Sequence, residues 1–310
     1  MKVLVTGAAG QLGRELCLLL AEEGIDTIAL TRHELDLSGP ADAITATIAR
    51  HRADWVVNCA AYTQVDKAES EPELAHAVNA VAAGAIARAV QDYGGRMLQV
   101  STDFVFGGDQ SSPYREEDAV KPLGAYGASK LAGERAVREV LPEALILRTA
   151  WVYGEHGHNF VKTILRLAGE REELKVVDDQ IGTPSWTRDI ATTLLALLRQ
   201  DASGTYHFSN EGVASWYDFA LAVVEEARTL GHDLPLQRLL PIPTRDYPTP
   251  ARRPAYSVLS KEKIRPLLPT PIPHWRASLR GMLLTHVAGC CGVGPRQQID
   301  WKKFIVKFRP

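Results

Sequence analysis

Three glycines near the amino terminus constrain the fold of this 310-residue chain more than any other feature. Gly7, Gly10 and Gly13 have a GxxGxxG spacing, directly after the apolar run Lys2–Thr6 and directly before a helical pattern. A turn of this kind brings backbone amides and a helix start against an anion, as in a dinucleotide-binding βαβ unit. The spacing therefore predicts a nucleotide-binding α/β fold, with ordinary turn glycines as the alternative.

Strand and helix patterns alternate along the first half of the chain. The short apolar runs are predicted to be buried parallel strands, at residues 2–6, 25–30, 55–58, 96–101 and 144–149. Helical spacing of apolar residues lies between them, at residues 11–22, 40–51, 72–93 and 126–140. This alternation is typical of a doubly wound parallel sheet of the Rossmann type, and predicts an NAD(P)-binding domain over residues 1–150.

The second half predicts a smaller α/β substrate-binding lobe over residues 151–285, with elements that return to the core. Its patterns indicate helices at 160–168, 187–199 and 216–230 and short strands at 175–178 and 205–208. Ten of the 18 prolines fall in residues 235–273, which predicts an irregular surface path that can line a cleft. Residues 286–310 form an atypical tail, to which no function is assigned.

Composition excludes several classes of function. The formal net charge of −2 gives no basic footprint for nucleic acid, and no apolar run reaches the roughly 18 residues of a membrane helix. The cysteines lack zinc-like spacing with histidine, which predicts reduced thiols in the cytoplasm and no metal site. They are Cys17, Cys59, Cys290 and Cys291. His156 and His158 lack a third ligand, so they are interpreted as loop residues.

A tyrosine and a lysine in YGASK carry the strongest chemical signal. Tyr126 and Lys130 are four residues apart, so they share one helix face and can reach one ligand. A nearby ammonium stabilises a phenolate, and we expect Lys130 to lower the tyrosine pKa for acid–base work. Thr102 lies at the strand end STDFVFG, where its hydroxyl can bind a carbonyl that receives hydride. These three residues are the predicted catalytic set.

The region after the second strand bears on the choice of cofactor. Arg32 stands where many NAD-binding folds have an acid, and a guanidinium there can hold a 2′-phosphate. This favours NADPH, with NADH still possible, and the alternative is a solvated surface arginine. Asp36 can accept a hydrogen bond from adenine, or can cap the helix that starts near Pro40.

Several motifs together resemble the extended short-chain dehydrogenase/reductases, and among them the dTDP-4-dehydrorhamnose reductase family. The resemblance covers about residues 1–285 and depends on VTGAAGQLG, NCAAYTQVDKAE, VNA, STDFVFGG, YGASKLAGE, LRTAWVYG, NFV, DDQIGTPSW, RRPAYSVL and PHW. It implies reduction of the 4-keto group of dTDP-4-dehydro-β-L-rhamnose with NAD(P)H, which gives dTDP-L-rhamnose. The implied partner is a small nucleotide sugar; a homodimer is possible, and the sequence leaves the oligomeric state open.

The resemblance also implies roles for individual residues. Tyr126 would donate the proton, Lys130 would hold the nicotinamide ribose, and Thr102 would contact the sugar. The remaining implied cofactor contacts are Gly10, Gln11, Leu12, Asp36, Leu37, Ala61, Tyr62 and Thr63. The implied substrate contacts are Asp103, Trp151, Asn159, Thr183 and Arg253. For Trp151 a core aromatic is the alternative, and for Asp103 a turn acid.

Other functions stay open at this point. One is a different nucleotide-sugar reductase, or an epimerase that retains NAD. Another is a regulatory subunit without catalysis, like the β subunit of methionine adenosyltransferase. Some members of the resembled family form metal-bridged dimers on clustered acids, but Arg188 lies where a carboxylate would assist Glu15. A magnesium requirement is therefore not carried over from the resemblance, and the sequence leaves magnesium dependence open.

Overall fold

The computed structural model describes residues 1–290. Within them the strands are β1 (Lys2–Thr6), β2 (Asp26–Leu30), β3 (Trp55–Asn58), β4 (Arg96–Thr102), β5 (Leu145–Thr149), β6 (Val152–Tyr153), β7 (Glu173–Val177), β8 (Ile181–Gly182), β9 (Ser185–Trp186), β10 (Gly204–Phe208), β11 (Ala214–Ser215) and β12 (Arg238–Ile242). The helices are α1 (Gln11–Glu22), α2 (Ala41–His51), α3 (Val65–Ala68), α4 (Pro72–His76), α5 (Ala82–Tyr93), α6 (Ala125–Val140), α7 (Phe160–Glu170), α8 (Thr187–Arg199), α9 (Trp216–Thr229) and α10 (Trp275–Cys290).

The large sheet is parallel and has the order β10-β5-β4-β3-β1-β2. The chain passes from β1 to β2 on one side and then crosses to β3 on the other, so the strand order reverses between β1 and β3. The carboxyl ends of strands beside such a reversal leave a crevice that binds ligands in open α/β sheets. This arrangement confirms the predicted doubly wound fold and locates its binding edge.

Apolar side chains cover both faces of this sheet. On one face, Leu16 of α1 and Leu194 of α8 pack with strand residues such as Val5. On the other face, Ile44 of α2 and Ile86 of α5 form a second core. Because both faces are buried, the central strands are apolar throughout rather than alternating, as their sequences are.

Two elements from the second half of the chain complete this layer. Strand β10 pairs in parallel with β5, and α8 packs on α1. Residues 187–199 and 204–208 therefore belong to the core of the large sheet, whereas α7, α9 and α10 pack around a separate apolar core that includes Phe219 and Leu279. The proposed division at residue 150 stays a prediction, because the sheet draws strands from both sides of it.

The structure differs from the sequence expectations in the helix expected at 72–93. There α4 and α5 are joined by one π-helical segment, Ala77–Val81. Such a bulge inserts a residue into the helix and changes the direction of the side chains around it. Asn79 lies in this segment, and its side chain bonds to the loop after β3.

The carboxyl-terminal region follows the expectations in part. The proline-rich segment holds only β12 and two single turns of 3-10 helix, Thr244–Asp246 and Arg265–Leu267, and no longer helix. Helix α10 continues to Cys290, past the point at which the atypical tail was expected to begin. The rest of that tail, with Cys291, lies outside the described residues.

Candidate active site

The glycine turn lies at the reversal point of the sheet. Gly7 has φ +65°, and a Cβ there would lie 2.7 Å from the Cα of Ala60. A Cβ on Gly13 would overlap the carbonyl oxygen of Gly7, so only glycine lets α1 approach β1 so closely. Gly10 is the N-cap of α1 and provides no side-chain cap, and the first turn holds no acidic residue. The free amides at this helix start form the kind of cradle that holds a pyrophosphate.

The next two residues of the motif connect the turn to its surroundings. Leu12 is buried in the core beneath the turn. The side chain of Gln11 accepts a hydrogen bond of 3.0 Å from the Nδ2 of Asn159. Asn159 thereby joins the N-terminus of α7 to the glycine turn, and its Oδ1 also accepts the backbone N–H of Lys162 as the α7 N-cap.

The end of β2 carries the residues predicted at the adenosine. The side chain of Arg32 is 81% exposed and lies 3.6 Å from the carboxylate of Asp36. Asp36 accepts hydrogen bonds from the backbone and hydroxyl of Ser38, and these bonds lower its pKa. Leu37 is buried in the core under α2. Asp36 thus shapes the turn before α2 but does not cap the helix, whose N-cap is Pro40, while Arg32 is open to solvent.

The loop after β3 is fixed by Asn79, which the sequence did not single out as a site residue. Its Oδ1 accepts the N–H of Tyr62 at 2.9 Å, and its Nδ2 donates to the Tyr62 carbonyl and to Ser129. The hydroxyl of Tyr62 donates to Glu71. The stretch Ala61 to Thr63 is therefore held next to Gly7 and α6. In the sequence, Asn79 was recognised only as part of the motif VNA, which contributes to the family resemblance.

Thr102, Tyr126 and Lys130 come together at the carboxyl end of β4. Glu69 accepts the first N–H of α6, at Ala125, and thereby sets the start of the helix. The Tyr126 ring meets Phe104 edge-on, with centroids 5.7 Å apart. Thr102 hydrogen-bonds to the Tyr126 side chain and donates to Asp103 Oδ1 at 3.0 Å. One small site thus holds a phenol, a hydroxyl and a carboxylate.

The expected lowering of the Tyr126 pKa by Lys130 stays a prediction, because burial has the largest effect on both groups. Burial raises the pKa of Tyr126 to about 12, and its hydrogen bond with Thr102 lowers the pKa by less than burial raises it. Burial also lowers the pKa of Lys130 to about 8, and its ammonium donates to the carbonyl of Val100 at 2.7 Å. Desolvation therefore dominates both groups, and the lysine charge is directed at the backbone of β4.

Asp103 is the second buried charged group of the site. It is 2% exposed, and its Oδ2 is buried without a hydrogen-bond partner. Burial raises the pKa of Asp103 to about 6, although the hydroxyls of Ser257 and Thr102 favour the charged form. A buried carboxylate oxygen with no partner is costly, so a polar ligand group is an expected complement. Ser257, in the segment RRPAYSVL, was not predicted as part of this site.

Trp151 joins the site to the second apolar core. Its indole stacks on Trp216 with centroids 3.6 Å apart, and its backbone has φ +45°. A Cβ on Gly182 would lie 2.6 Å from its Nε1, so the glycine makes room for the ring. Trp151 is half-buried, which leaves part of the ring accessible. Trp216 was another residue that the sequence did not indicate.

Two further predicted substrate residues have partners within the chain. The hydroxyl of Thr183 is buried and donates to the carbonyl of Gly212 at 2.9 Å. Arg253 makes two bonds to Asp66 of α3, at 2.9 and 2.8 Å. This pairing lowers the pKa of Asp66. Arg253 thus fixes the proline-rich segment against the loop after β3, and its contact with substrate stays a prediction.

The residues considered for a metal are arranged as ion pairs. Arg188 lies 3.3 Å from Glu15 and also pairs with Glu22, and His156 lies 4.0 Å from Glu15. Among residues 1–290, no group of three or more His, Cys, Asp or Glu side chains is arranged to hold a metal ion. In the same part of the chain, no helix has the length and apolar character needed to cross a bilayer.

The sheet order, the glycine turn and the Tyr126–Lys130 helix define a short-chain dehydrogenase/reductase of the extended type. A family model described as RmlD substrate binding domain matches residues 1–287, and the chain belongs to this family. A dTDP-4-dehydrorhamnose reductase from Burkholderia thailandensis is 46% identical over 287 residues, which cover 89% of this chain and 96% of the relative. A dTDP-4-keto-6-deoxy-D-glucose reductase from Streptomyces niveus is 42% identical over 277 residues, which cover 89% and 94%.

A solved structure has the same fold over nearly its whole length. It is a dTDP-4-dehydrorhamnose reductase from Bacillus anthracis in complex with NADP, with a TM-score of 0.86 and 37% identity. The match covers 92% of this chain and 100% of that one. The resemblance found in the motifs therefore extends to the arrangement of the whole chain.

Proposed function

We propose that the chain is an NADPH-dependent reductase that converts dTDP-4-dehydro-β-L-rhamnose to dTDP-L-rhamnose. The observation that carries the proposal is the convergence of Thr102, Tyr126 and Lys130 beside the glycine turn, in a chain 46% identical to a reductase of that name. NADH is a second possible cofactor. The homodimer and the cytoplasmic location stay predictions.

The residues at the glycine turn fit a dinucleotide. A Cβ on Gly7 would overlap Ala60 and one on Gly13 would overlap the Gly7 carbonyl, so the tight turn requires glycine at both positions, and the amides at the start of α1 have no side-chain cap. The turn would hold the pyrophosphate, Arg32 the 2′-phosphate, and Lys130 the nicotinamide ribose. When bound, NADPH supplies the hydride for the C4 carbonyl carbon of the sugar.

The residues of the chain then provide the proton. Negative charge develops on the sugar O4 as its carbonyl is reduced, and hydroxyl donors placed there stabilise it. Thr102 and Tyr126 would place their hydroxyls at O4, and the phenol of Tyr126 would give its proton to it. Asp103 presents an unbonded oxygen for a sugar hydroxyl, and Trp151 covers an apolar sugar face. Arg253 would contact the diphosphate of the nucleotide, and Asn159 and Thr183 would contact the substrate, as the family resemblance implies.

NADPH oxidation with dTDP-4-dehydro-β-L-rhamnose tests this function. Tyr126→Phe keeps the ring against Phe104 and removes the hydroxyl, so kcat should fall about a hundredfold or more, with NADPH affinity nearly unchanged. Tyr206→Phe, on the edge strand β10, is the matched control and should keep full activity. Equal loss of cofactor binding and turnover in Tyr126→Phe would show a structural tyrosine instead.

The relative from Streptomyces niveus favours a second candidate, reduction of dTDP-4-keto-6-deoxy-D-glucose. The two substrates present the same keto group with different ring stereochemistry, so pocket shape decides between them. Running the same assay with each sugar separates the candidates by the ratio of their kcat/KM values. A higher kcat/KM with the D-glucose derivative would replace the first proposal with the second.

A further inference from the structure

A buried ion pair lies behind the reacting residues and is not part of the set described above. Arg148 of β5 and Glu134 of α6 are 6% and 3% exposed. Arg148 Nε donates to Glu134 Oε1 at 2.9 Å, and its Nη2 donates to Oε2 at 2.7 Å. This two-point geometry fixes the carboxylate in one orientation. Burying such a pair gains little stability over apolar side chains of similar volume, so its presence calls for another reason.

Arg148 also contacts residues outside this pair. Arg148 lies 3.4 Å from the Nε2 of His207 and 5.2 Å from the centre of the Phe106 ring. Burial and the charge of Arg148 lower the pKa of His207 to about 3, so this histidine is neutral. The arginine also donates to the carbonyl of Glu116. The side chain of Glu116, whose pKa burial raises, accepts the N–H of His207.

Glu134 lies on the same helix face as the catalytic pair. Tyr126, Lys130 and Glu134 follow one another at intervals of four residues, which places each near the next. Lys130 is 4% exposed and faces Glu134 from α6, Cys59 from the end of β3 and the Val100 carbonyl from β4. Burial raises the pKa of the Cys59 thiol, so the thiol is neutral. Glu134 is therefore the carboxylate that supports the lysine charge.

We propose that Glu134, oriented by Arg148, is a positioning residue that keeps the Lys130 ammonium charged for the nicotinamide ribose. The inference depends on the function proposed above only for the role of Lys130. A desolvated ammonium favours its neutral form, and a fixed carboxylate one helical turn away opposes that loss. Arg148 acts one step further back, because its two hydrogen bonds hold the Glu134 carboxylate in one orientation.

Two single variants separate this role from a structural one. Glu134→Gln removes the carboxylate charge and should shift the titration of Lys130 about one pH unit or more toward lower pH. Arg148→Met breaks the same pair but keeps the carboxylate, so the titration should not move downward. Both variants lose stability, because each leaves a buried partner uncompensated. Glu139→Gln, exposed on the same helix, is the matched control.

The titration is measured on the full chain from the ¹³Cε signals of labelled lysine, with Lys130→Arg to assign the signal. The range from about pH 6 to about pH 10 brackets the lysine pKa of about 8. The pH dependence of the NADPH dissociation constant is the second readout and should shift in the same direction. If both single variants move the titration alike, or neither moves it, Glu134 has only a structural role and the proposal is wrong.

A double variant covers the case in which a single variant does not fold. Glu134→Gln with Arg148→Met removes both charges, so no buried charge is left unpaired. We expect the double variant to be more stable than either single variant, and its Lys130 titration to shift downward by less than in Glu134→Gln. An unchanged Lys130 titration would overturn the proposal. A wild-type chain that binds NADPH but reduces no dTDP sugar would contradict the proposed function and leave this test valid. The lysine titration needs neither cofactor nor substrate.

Discussion

Replacing Asp103 with asparagine is expected to stabilise the fold while removing activity. The carboxylate is buried beside Thr102, and burial raises its pKa from the ordinary 3.8 to about 6. The folded state therefore binds this proton more tightly than the unfolded state does. Between about pH 4 and pH 6 the wild-type chain loses stability as pH rises, and above that range the whole penalty is present.

The size of the effect follows from the two pKa values. At about 1.4 kcal/mol per pH unit, a rise from 3.8 to about 6 corresponds to about 3 kcal/mol at pH 7.5. At pH 5 the unfolded carboxyl is mostly ionised and the folded one mostly protonated, so about half of this penalty is present. Asparagine does not titrate, and its oxygen can still accept the Thr102 hydroxyl. Any effect of the new amide on stability that does not depend on pH cancels when the stability gains at the two pH values are subtracted.

Urea unfolding of wild type and Asp103→Asn at pH 7.5 and pH 5 measures this difference directly. The stability gain of the variant over wild type should be about 1.4 kcal/mol larger at pH 7.5 than at pH 5. The control is Asp92→Asn, an exposed position on α5, which should show no such difference. Reductase activity should fall at the same time, since the carboxylate is kept at a cost in stability. A difference between variant and wild type that does not depend on pH would refute the reasoning.

Three further predictions concern the cofactor. Gly13→Ala drives a Cβ into the Gly7 carbonyl and should weaken NADPH binding about tenfold or more, as measured by fluorescence titration. The control is Gly169→Ala on α7, where a Cβ has open space. This variant should leave NADPH binding unchanged and raise the free energy of unfolding by up to about 1 kcal/mol. Arg32→Ala should raise the KM for NADPH about tenfold and leave that for NADH unchanged, because the guanidinium is proposed to bind the 2′-phosphate, which NADH lacks. The KM for NADPH should rise above about pH 8, where Lys130 loses its proton, and a KM constant to pH 10 would contradict this.

The large sheet could be predicted from the sequence because its signals are local. Each central strand is an apolar run bounded by turn residues, and parallel strands buried on both faces leave that pattern. The proposed catalytic pair has an equally local signal, since Tyr126 and Lys130 lie one helical turn apart. Their environment is not local. The pKa of Tyr126 depends on burial by residues from several segments, and the spacing of Tyr126 and Lys130 does not show that burial.

Long-range pairing accounts for most of what the sequence missed. Arg253 meets Asp66 across 187 positions, and nothing near either residue indicates the partner. Strand β10 joins the large sheet beside β5 because residues from the second half of the chain complete its core. The π-helical segment at Asn79 depends on the contact with Tyr62, so the helical periodicity of the sequence does not show it.

The charges around Tyr126 bear on the direction of the reaction. An alcohol dehydrogenase needs a phenolate to take a proton, whereas a carbonyl reductase needs a phenol to give one. Burial and the charge of Asp103 both raise the pKa of Tyr126, which reaches about 12, so the phenol keeps its proton at neutral pH. Lys130, which would favour the phenolate, directs its ammonium at the Val100 carbonyl instead. The buried carboxylate thus costs stability and adds to the effect of burial on the pKa of Tyr126, and a protonated tyrosine is what reduction of a keto sugar requires.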